Sequence, residues 1–344
     1  MSIEIIANEH ADDTLQIFLK RCDRSFVYAT PAFMAMIAAH LRGRAYWLVM
    51  RRSGGVVGLL PFMVKEGALG AVYNSLAYYG SNGGVIQLTY DKDDKRQLIE
   101  YFYEAAEKGG AVTATLISNP LEECVTYEQF SKYDLRDERI GQITCLPDSE
   151  SGDSLMKLFD DPRPRNIRKA LREGVIVTAE TDKGVVDFLY DTHRKNMAAI
   201  GGLPKRESFF RDISCYMAND QWQIYVGRIG PQAVAALLVF YNNQTVEYFT
   251  PVIVEEYRGT QALALVVYEA MLDAVSKGFK YWNWGGTWLS QGGVYDFKKK
   301  WGTTDHPYYY YTRVFDPKVR KAPREQLLSE YEGFFVLPFS ALEV

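Results

Sequence analysis

At 344 residues, with 47% hydrophobic and 24% charged residues, the chain is long enough for two domains with sizeable cores. A formal net charge of −4 excludes a global basic field for DNA or an anionic membrane surface. The longest apolar runs, such as 233–241, fall well short of the roughly 20 residues a membrane span needs, so none is expected. The start has no basic segment leading into an apolar stretch, and the four cysteines form no Cys-x-x-Cys pair; both suit a reduced, cytoplasmic setting.

In chain order, 12–21 places Leu15, Phe18 and Leu19 on one face of a helix, and a second helix begins at Thr30-Pro31, a capping residue followed by proline. Segments 46–52 and 56–65 flank a Ser-Gly-Gly turn and read as a hairpin. The stretch 71–79 reads as a strand entering Gly80-Ser81-Asn82-Gly83-Gly84, whose glycines permit close approach of other groups. A helix over 95–108 ends at Gly109-Gly110 and precedes a strand over 112–117.

The polar stretch 146–153 divides the chain, and the order of elements then repeats. Helices are expected over 155–159 and 163–172, a strand over 175–179, and helices over 185–199 and 207–217. Strands 223–228, 233–241 and 245–250 form a meander, a long helix covers 259–277, and a strand covers 280–283. WLVMRRSGGVVGLLPF and WQIYVGRIGPQAVAALLVF are the clearest internal echo. The expected fold is α/β in the α+β sense, with a mixed sheet flanked by helices in each half, because hairpins require antiparallel neighbours. The expected domains are 1–147 and 148–315, with a tail over 316–344 whose apolar run 332–339 can dock on the body or on a partner.

Three segments can carry chemistry. On the helix that opens the second half, Arg165 with Lys169 and Arg168 with Arg172 form two basic rows beside Ile167 and Leu171. Such a surface can hold a phosphate or carboxylate, and it equally suits a solvated helix face. Next, Trp284-Gly285-Gly286-Thr287 ends a strand in a glycine-rich loop, and a short helix follows with Asp296, Phe297, Lys298 and Trp301. Backbone amides and an ammonium there can stabilise an oxyanion, or the corner can be packed core, as expected for Trp282 and Trp301. Third, Tyr257-Arg258-Gly259 precedes the long helix, whose N-terminal amides suit an anion.

No metal site is expected, since His10, His40, His193 and His306 are scattered and lack partners at ligand spacing; each is read as a surface or core histidine. The absence of Gly-x-Ser-x-Gly leaves covalent acyl-serine chemistry unsupported.

Taken together, Arg165-Asn166-Ile167-Arg168-Lys169-Ala170, then Tyr257-Arg258 before a long helix, then Phe297-Lys298-Lys299-Lys300-Trp301-Gly302 resemble the FemABX-like branch of the GNAT acyltransferase superfamily. The resemblance implies two tandem GNAT-like domains and transfer of an acyl or aminoacyl group from an activated donor to an amine. It implies Lys298 at the transfer site, Phe297 shaping it, and Arg165, Asn166, Arg168, Lys169, Tyr257, Arg258, Gly285 and Gly286 binding substrate or phosphate. Asp296 and Glu256 are the candidates for removing the proton. Counted from Arg258, the glycine positions of the usual acetyl-CoA loop hold Gln261 and Leu263, a departure from ordinary acetyltransferases.

No tightly bound cofactor is expected; acyl-CoA or aminoacyl-tRNA is the donor substrate. The acidic charge and the absence of heptad repeats disfavour tRNA. A small molecule or sugar nucleotide is the expected partner, and the acceptor is an amino sugar or amino acid in cell-envelope or polysaccharide synthesis. Two alternatives stand beside this: an acyl-CoA-dependent N-acetyltransferase of a small amine, and a non-catalytic module binding a sugar nucleotide or peptide.

Overall fold

The computed structural model describes residues 1–78, 82–148, 152–288, 290–338 and 341. They form two compact units, Met1–Ile140 with Pro307–Val344, and Gly141–His306. This division differs from the expected one, since 316–338 belongs to the first unit and the second ends before 315.

In the first unit the chain forms β1 (Ser2–Ala7), α1 (Asp13–Lys20), α2 (Pro31–Leu41), β2 (Arg44–Arg52), β3 (Gly55–Gly67), β4 (Gly70–Asn74), α3 (Lys92–Lys108), β5 (Ala111–Ile117), α4 (Val125–Phe130) and β6 (Leu135–Cys145). Capping chemistry sets the helix starts: Thr30 accepts from the Phe33 amide and Asp91 from the Asp94 amide. Strands β1 to β4 pair antiparallel in sequence order, and β4 then lies parallel to β5. A parallel neighbour requires a crossover, which α3 supplies. Its Leu98, Ile99 and Phe102 face Leu60 and Phe62 of β3 in one core.

The second unit repeats this plan with α5 (Gly152–Met156), α6 (Arg163–Arg172), β7 (Val175–Glu180), α7 (Lys183–Ala199), α8 (Glu207–Tyr216), β8 (Trp222–Ile229), β9 (Gln232–Asn242), β10 (Thr245–Ile253), α9 (Ala262–Ser276), β11 (Tyr281–Thr287), α10 (Gly292–Lys299) and β12 (Thr303–Val314). Strands β7 to β10 pair antiparallel, and β10 lies parallel to β11 with α9 as the crossover. The Trp-led hairpins of the internal echo are thus β2–β3 and β8–β9. Strand β6 begins in the first unit and ends in the second, and β12 runs the other way, so each unit contains part of both. Helix α9 buries Val266, Val267, Ala270, Met271 and Ala274 against β8 and β9, together with Trp282 and Trp301.

Several details depart from the sequence reading. The expected strand 71–79 ends at Asn74, and of the glycine-rich stretch after it, Tyr79, Gly80 and Ser81 lie outside the described residues. Gly83 does meet the expected close approach: a Cβ there would lie 1.5 Å from the Ser75 carbonyl oxygen. The long helix starts at Ala262 rather than 259, because Glu255–Thr260 is a 3-10 turn and Gln261 takes a left-handed φ of 62°. The expected helix 155–159 lies earlier, at α5. Strands β1, β6 and β12 had no counterpart in the sequence reading; in β6, Leu135 is followed by Arg136, Asp137, Glu138 and Arg139, charges that mask its alternation.

The tail forms α11 (Arg324–Glu330) and packs on the first unit. Tyr331 Oη donates to the Gly70 carbonyl at 2.8 Å. The buried Asn74 amide clamps the Phe335 backbone, Nδ2 donating to its carbonyl at 2.8 Å and Oδ1 accepting its N–H at 2.7 Å. Of the two docking alternatives the sequence left open, the described tail takes the body.

Candidate active site

Strands β10 and β11 pair only from Thr245/Tyr281 to Glu247/Asn283, although both continue, to Ile253 and Thr287. Beyond that point the pairing of β10 with β9 also shifts register, between Tyr248 and Thr250. A bulge of this kind re-aims side chains and ends regular pairing. The last paired residues are both buried: Asn283 Nδ2 donates to Glu247 Oε1 at 3.2 Å and Oε2 at 2.9 Å. Asn283 Oδ1 accepts the Gly285 N–H at 2.9 Å, holding Gly285 at φ 73°, where a residue with a Cβ is strained.

Lys298 grips the same stretch, where β11 runs on through Thr287, so that Gly285 and Gly286 belong to the strand and not to the expected loop. Its buried Nζ donates to Thr287 Oγ1 at 2.9 Å and to the Gly285 and Gly286 carbonyls at 3.3 Å each. Thr287 Oγ1 donates to Gln142 Oε1 at 3.2 Å, and Gln142 Nε2 to the Tyr295 carbonyl at 3.1 Å. Burial lowers the Lys298 pKa to about 8. Lys298, Gly285 and Gly286 are therefore one hydrogen-bonded group, with Glu247 and Asn283 on its other side.

A second group surrounds a cavity of about 130 Å³ at the N-terminal end of α9. Arg163, Phe297, Trp301, Arg258 and Gln261 line it. The Arg163 guanidinium lies 4.3 Å from the Phe297 ring centroid and 5.3 Å from that of Trp301, and its Nη2 donates to the Phe297 carbonyl at 3.1 Å. Its buried Nε has no hydrogen-bond partner. Burial pushes the Arg163 pKa down and that of nearby Tyr248 up, each opposed by the other's charge. Arg258 is exposed and pairs with Glu255 at 2.8 Å. Two guanidiniums near a helix N-terminus, one braced by aromatic rings, are chemically suited to a small anion.

The predicted residues thus divide. Arg258 and Phe297 meet at this cavity, and Lys298 meets Gly285 and Gly286. Tyr257 is half-buried beside the core, while Arg165, Arg168, Asp296 and Glu256 are exposed and outside the cavity's lining. Asn166 and Lys169 are half-buried on α6 and also outside it. Two residues of this region were missed. Arg163 sits between two prolines at the start of α6, away from the i,i+4 basic rows. Glu247 is the one charge in the strand TVEYFTPVI, a signal legible in the sequence.

Among the described residues, no group of three or more His, Cys, Asp or Glu side chains is placed to hold a metal ion. No helix among them is long and apolar enough to cross a membrane. His193 is buried, with Nε2 accepting the Lys205 amide at 3.1 Å; burial first, then the Lys205 charge, lowers its pKa to about 4. Between its ordinary value near 6.5 and about 4, the unfolded chain binds a proton that the folded chain refuses. Stability contributed here is full above pH 6.5 and is lost as pH falls to 4. A His193→Gln variant is therefore expected to lose less melting temperature than the parent over that window, checked by thermal melts at stepped pH.

Residues 164–299 match the family model described as acetyltransferase (GNAT) domain. No curated protein matches the chain in sequence. Among solved structures, FemX superposes with a TM-score of 0.75 at 14% identity, covering 93% of this chain and 99% of its own. A tandem GNAT protein from the clavulanic acid biosynthesis pathway gives 0.53 at 12% identity, covering 92% and 99%. L-PGS from Bacillus licheniformis gives 0.52 at 14% identity, covering 84% and 90%. The chain thus has the fold of FemX and of tandem GNAT proteins, and its residues 164–299 are similar to an acetyltransferase (GNAT) domain.

Proposed function

We propose that the protein is an acyltransferase that takes an acyl or aminoacyl group from a phosphate-bearing donor and passes it to an amine. The observation that carries this is Arg163, held over Phe297 and Trp301 with an unpaired Nε, in a cavity shared with Arg258 at the start of α9. At about 130 Å³ the cavity is below the usual 300–1,000 Å³ of sites for whole small molecules, and so suits a phosphate group of a larger donor. The corresponding crossover helix of the first unit, α3, carries Asp91 at its cap and Asp93 and Asp94 in its first turn. Those carboxylates already occupy the favourable end of the helix dipole and repel a phosphate, so the donor belongs to the second unit.

In this reading the amine attacks the donor carbonyl near the Gly285–Thr287 end of β11. Lys298 holds the β11 end in the geometry in which the oxyanion forms, the exposed Asp296 or Glu256 takes the proton from the attacking amine, and collapse of the intermediate breaks the donor's thioester or ester bond, the leaving thiol or hydroxyl departing protonated. The acceptor, by the FemABX-like resemblance, is an amino sugar or amino acid of cell-envelope or polysaccharide synthesis. Calorimetry against acetyl-CoA, a longer acyl-CoA and an aminoacyl-tRNA tests the donor. Saturable binding of one of the three supports a phosphate-bearing donor and identifies its class. The absence of binding to all three overturns it in favour of the non-catalytic module.

A further inference from the structure

The first unit contains a cavity of about 580 Å³, within the usual range for small-molecule sites. It lies at the end of the first unit that corresponds to the donor region of the second: Lys95 comes from the first turn of α3, and Asn119 and Glu122 follow β5. Its chemistry differs, however. Lys95 and Glu122 form a largely buried pair at 2.8 Å, with side chains 3% and 21% exposed. The Lys95 ammonium also lies 4.1 Å from the Tyr127 ring centroid. Desolvating such a pair costs about as much as its attraction returns, so stability alone is a weak reason for it.

The charges lining the mouth are balanced. Arg21 and Arg24 face water on one hand, Asp23 and Glu123 on the other. Arg24 is held in place by donating from Nη1 to the Leu121 carbonyl at 3.1 Å, while Asn119 Nδ2 donates to the Arg24 carbonyl at 2.8 Å. Apolar wall is supplied by Ile86, by Leu88 at 39% exposure and by Tyr90 at 63%. With carboxylates in the first turn of α3 and equal numbers of cations and anions around the mouth, neither a phosphate nor a simple cation is matched. A ligand bearing an ammonium, a carboxylate and an apolar side chain is. Cys22, also in the lining, is buried with its thiol pushed up to about 12, so it stays protonated and forms no covalent bond.

We infer that this cavity binds a zwitterionic amino acid or dipeptide with an apolar side chain, its carboxylate at Arg24 and its ammonium at Glu123. This inference stands independently of the donor assignment in the second unit. The test is calorimetry of the full chain with L-alanyl-L-leucine, its N-acetyl form and its C-terminal amide. The free dipeptide is expected to bind with a Kd of about 1 mM or tighter, and blocking either end to weaken it at least about tenfold. Arg24→Ala should remove the penalty for the amide, and Glu123→Gln the penalty for the acetyl form. Both side chains are exposed, and an unchanged melting temperature verifies the fold of each variant. Saturable binding that survives Arg163→Ala assigns the heat to this cavity. Equal binding of the blocked forms, no saturable binding of the free dipeptide, or its loss in Arg163→Ala would overturn the inference.

Discussion

Replacing Lys298 with alanine is expected to lower turnover about 100-fold or more and to lower the melting temperature as well. The first effect follows from position: three oxygens at the Gly285–Thr287 end of β11 are held by this one ammonium, and a misplacement of about 1 Å at a reacting centre can cost about 100-fold. The second follows because the substitution removes the donor from the buried Thr287 hydroxyl and from two half-buried carbonyls, at about 1–3 kcal/mol for a buried group left unsatisfied. A lysine acting only on the oxyanion would lose kcat with its melting temperature intact, so the two roles separate in one pair of measurements.

The pH dependence of the same residue has two opposite signs. Its pKa is lowered by burial from 10.5 to about 8, so between those values the unfolded chain holds the proton more firmly than the folded one. The cost of burying the ammonium is present below pH 8 and fades as pH rises to 10.5. Relative to a Lys298→Met variant, the parent should therefore gain stability across that window. Turnover should move the other way, falling as pH rises through 8, because the neutral amine has too few N–H groups for three acceptors. Flat turnover from pH 7 to 9.5 in a protein that stays folded would show that the charged form is not the active one.

The second large effect is expected at Arg163. Alanine there should weaken binding of the phosphate-bearing donor about 10- to 100-fold, the range for losing a hydrogen bond to a charged group. Lysine should recover little of it, because the planar guanidinium lies against the Phe297 and Trp301 rings and an ammonium does not reproduce its fork of donors. Arg168→Ala is the informative control, being on the same helix but exposed and outside the cavity; its effect should stay within about threefold, as for a screened surface charge. If Arg168→Ala weakens donor binding and Arg163→Ala does not, the basic rows of α6 bind the phosphate and the cavity does not.

Motif spacing pointed to the segments of the candidate site but not to the residue contacts within it. The basic rows of α6 are visible because i,i+4 periodicity shows which charges share a helix face. Periodicity carries no information on which end of a helix meets a neighbouring aromatic, and that is what distinguishes Arg163 from Arg165 and Arg168. The segment Phe297-Lys298 shows a similar limit. Adjacent residues on α10 serve different groups, Phe297 bracing Arg163 and Lys298 tying the end of β11, because consecutive positions on a helix point about 100° apart.

Local pattern is enough for the elements with strong periodicity or caps: α2 behind Thr30-Pro31, α3 up to Gly109-Gly110, the β2–β3 and β8–β9 hairpins, and the duplication they imply. These depend on side-chain period and turn chemistry, which act over a few residues. Long-range contacts set the division of β6 and β12 between the units, the packing of the tail on Asn74, and the pairing of Glu247 with Asn283. Each joins residues far apart in the chain, by hydrogen bonds whose partners no local pattern specifies. The end of β10–β11 pairing at Glu247 is the same kind of fact: the strands are legible one at a time, but the point where they part is set by the packing of the whole unit.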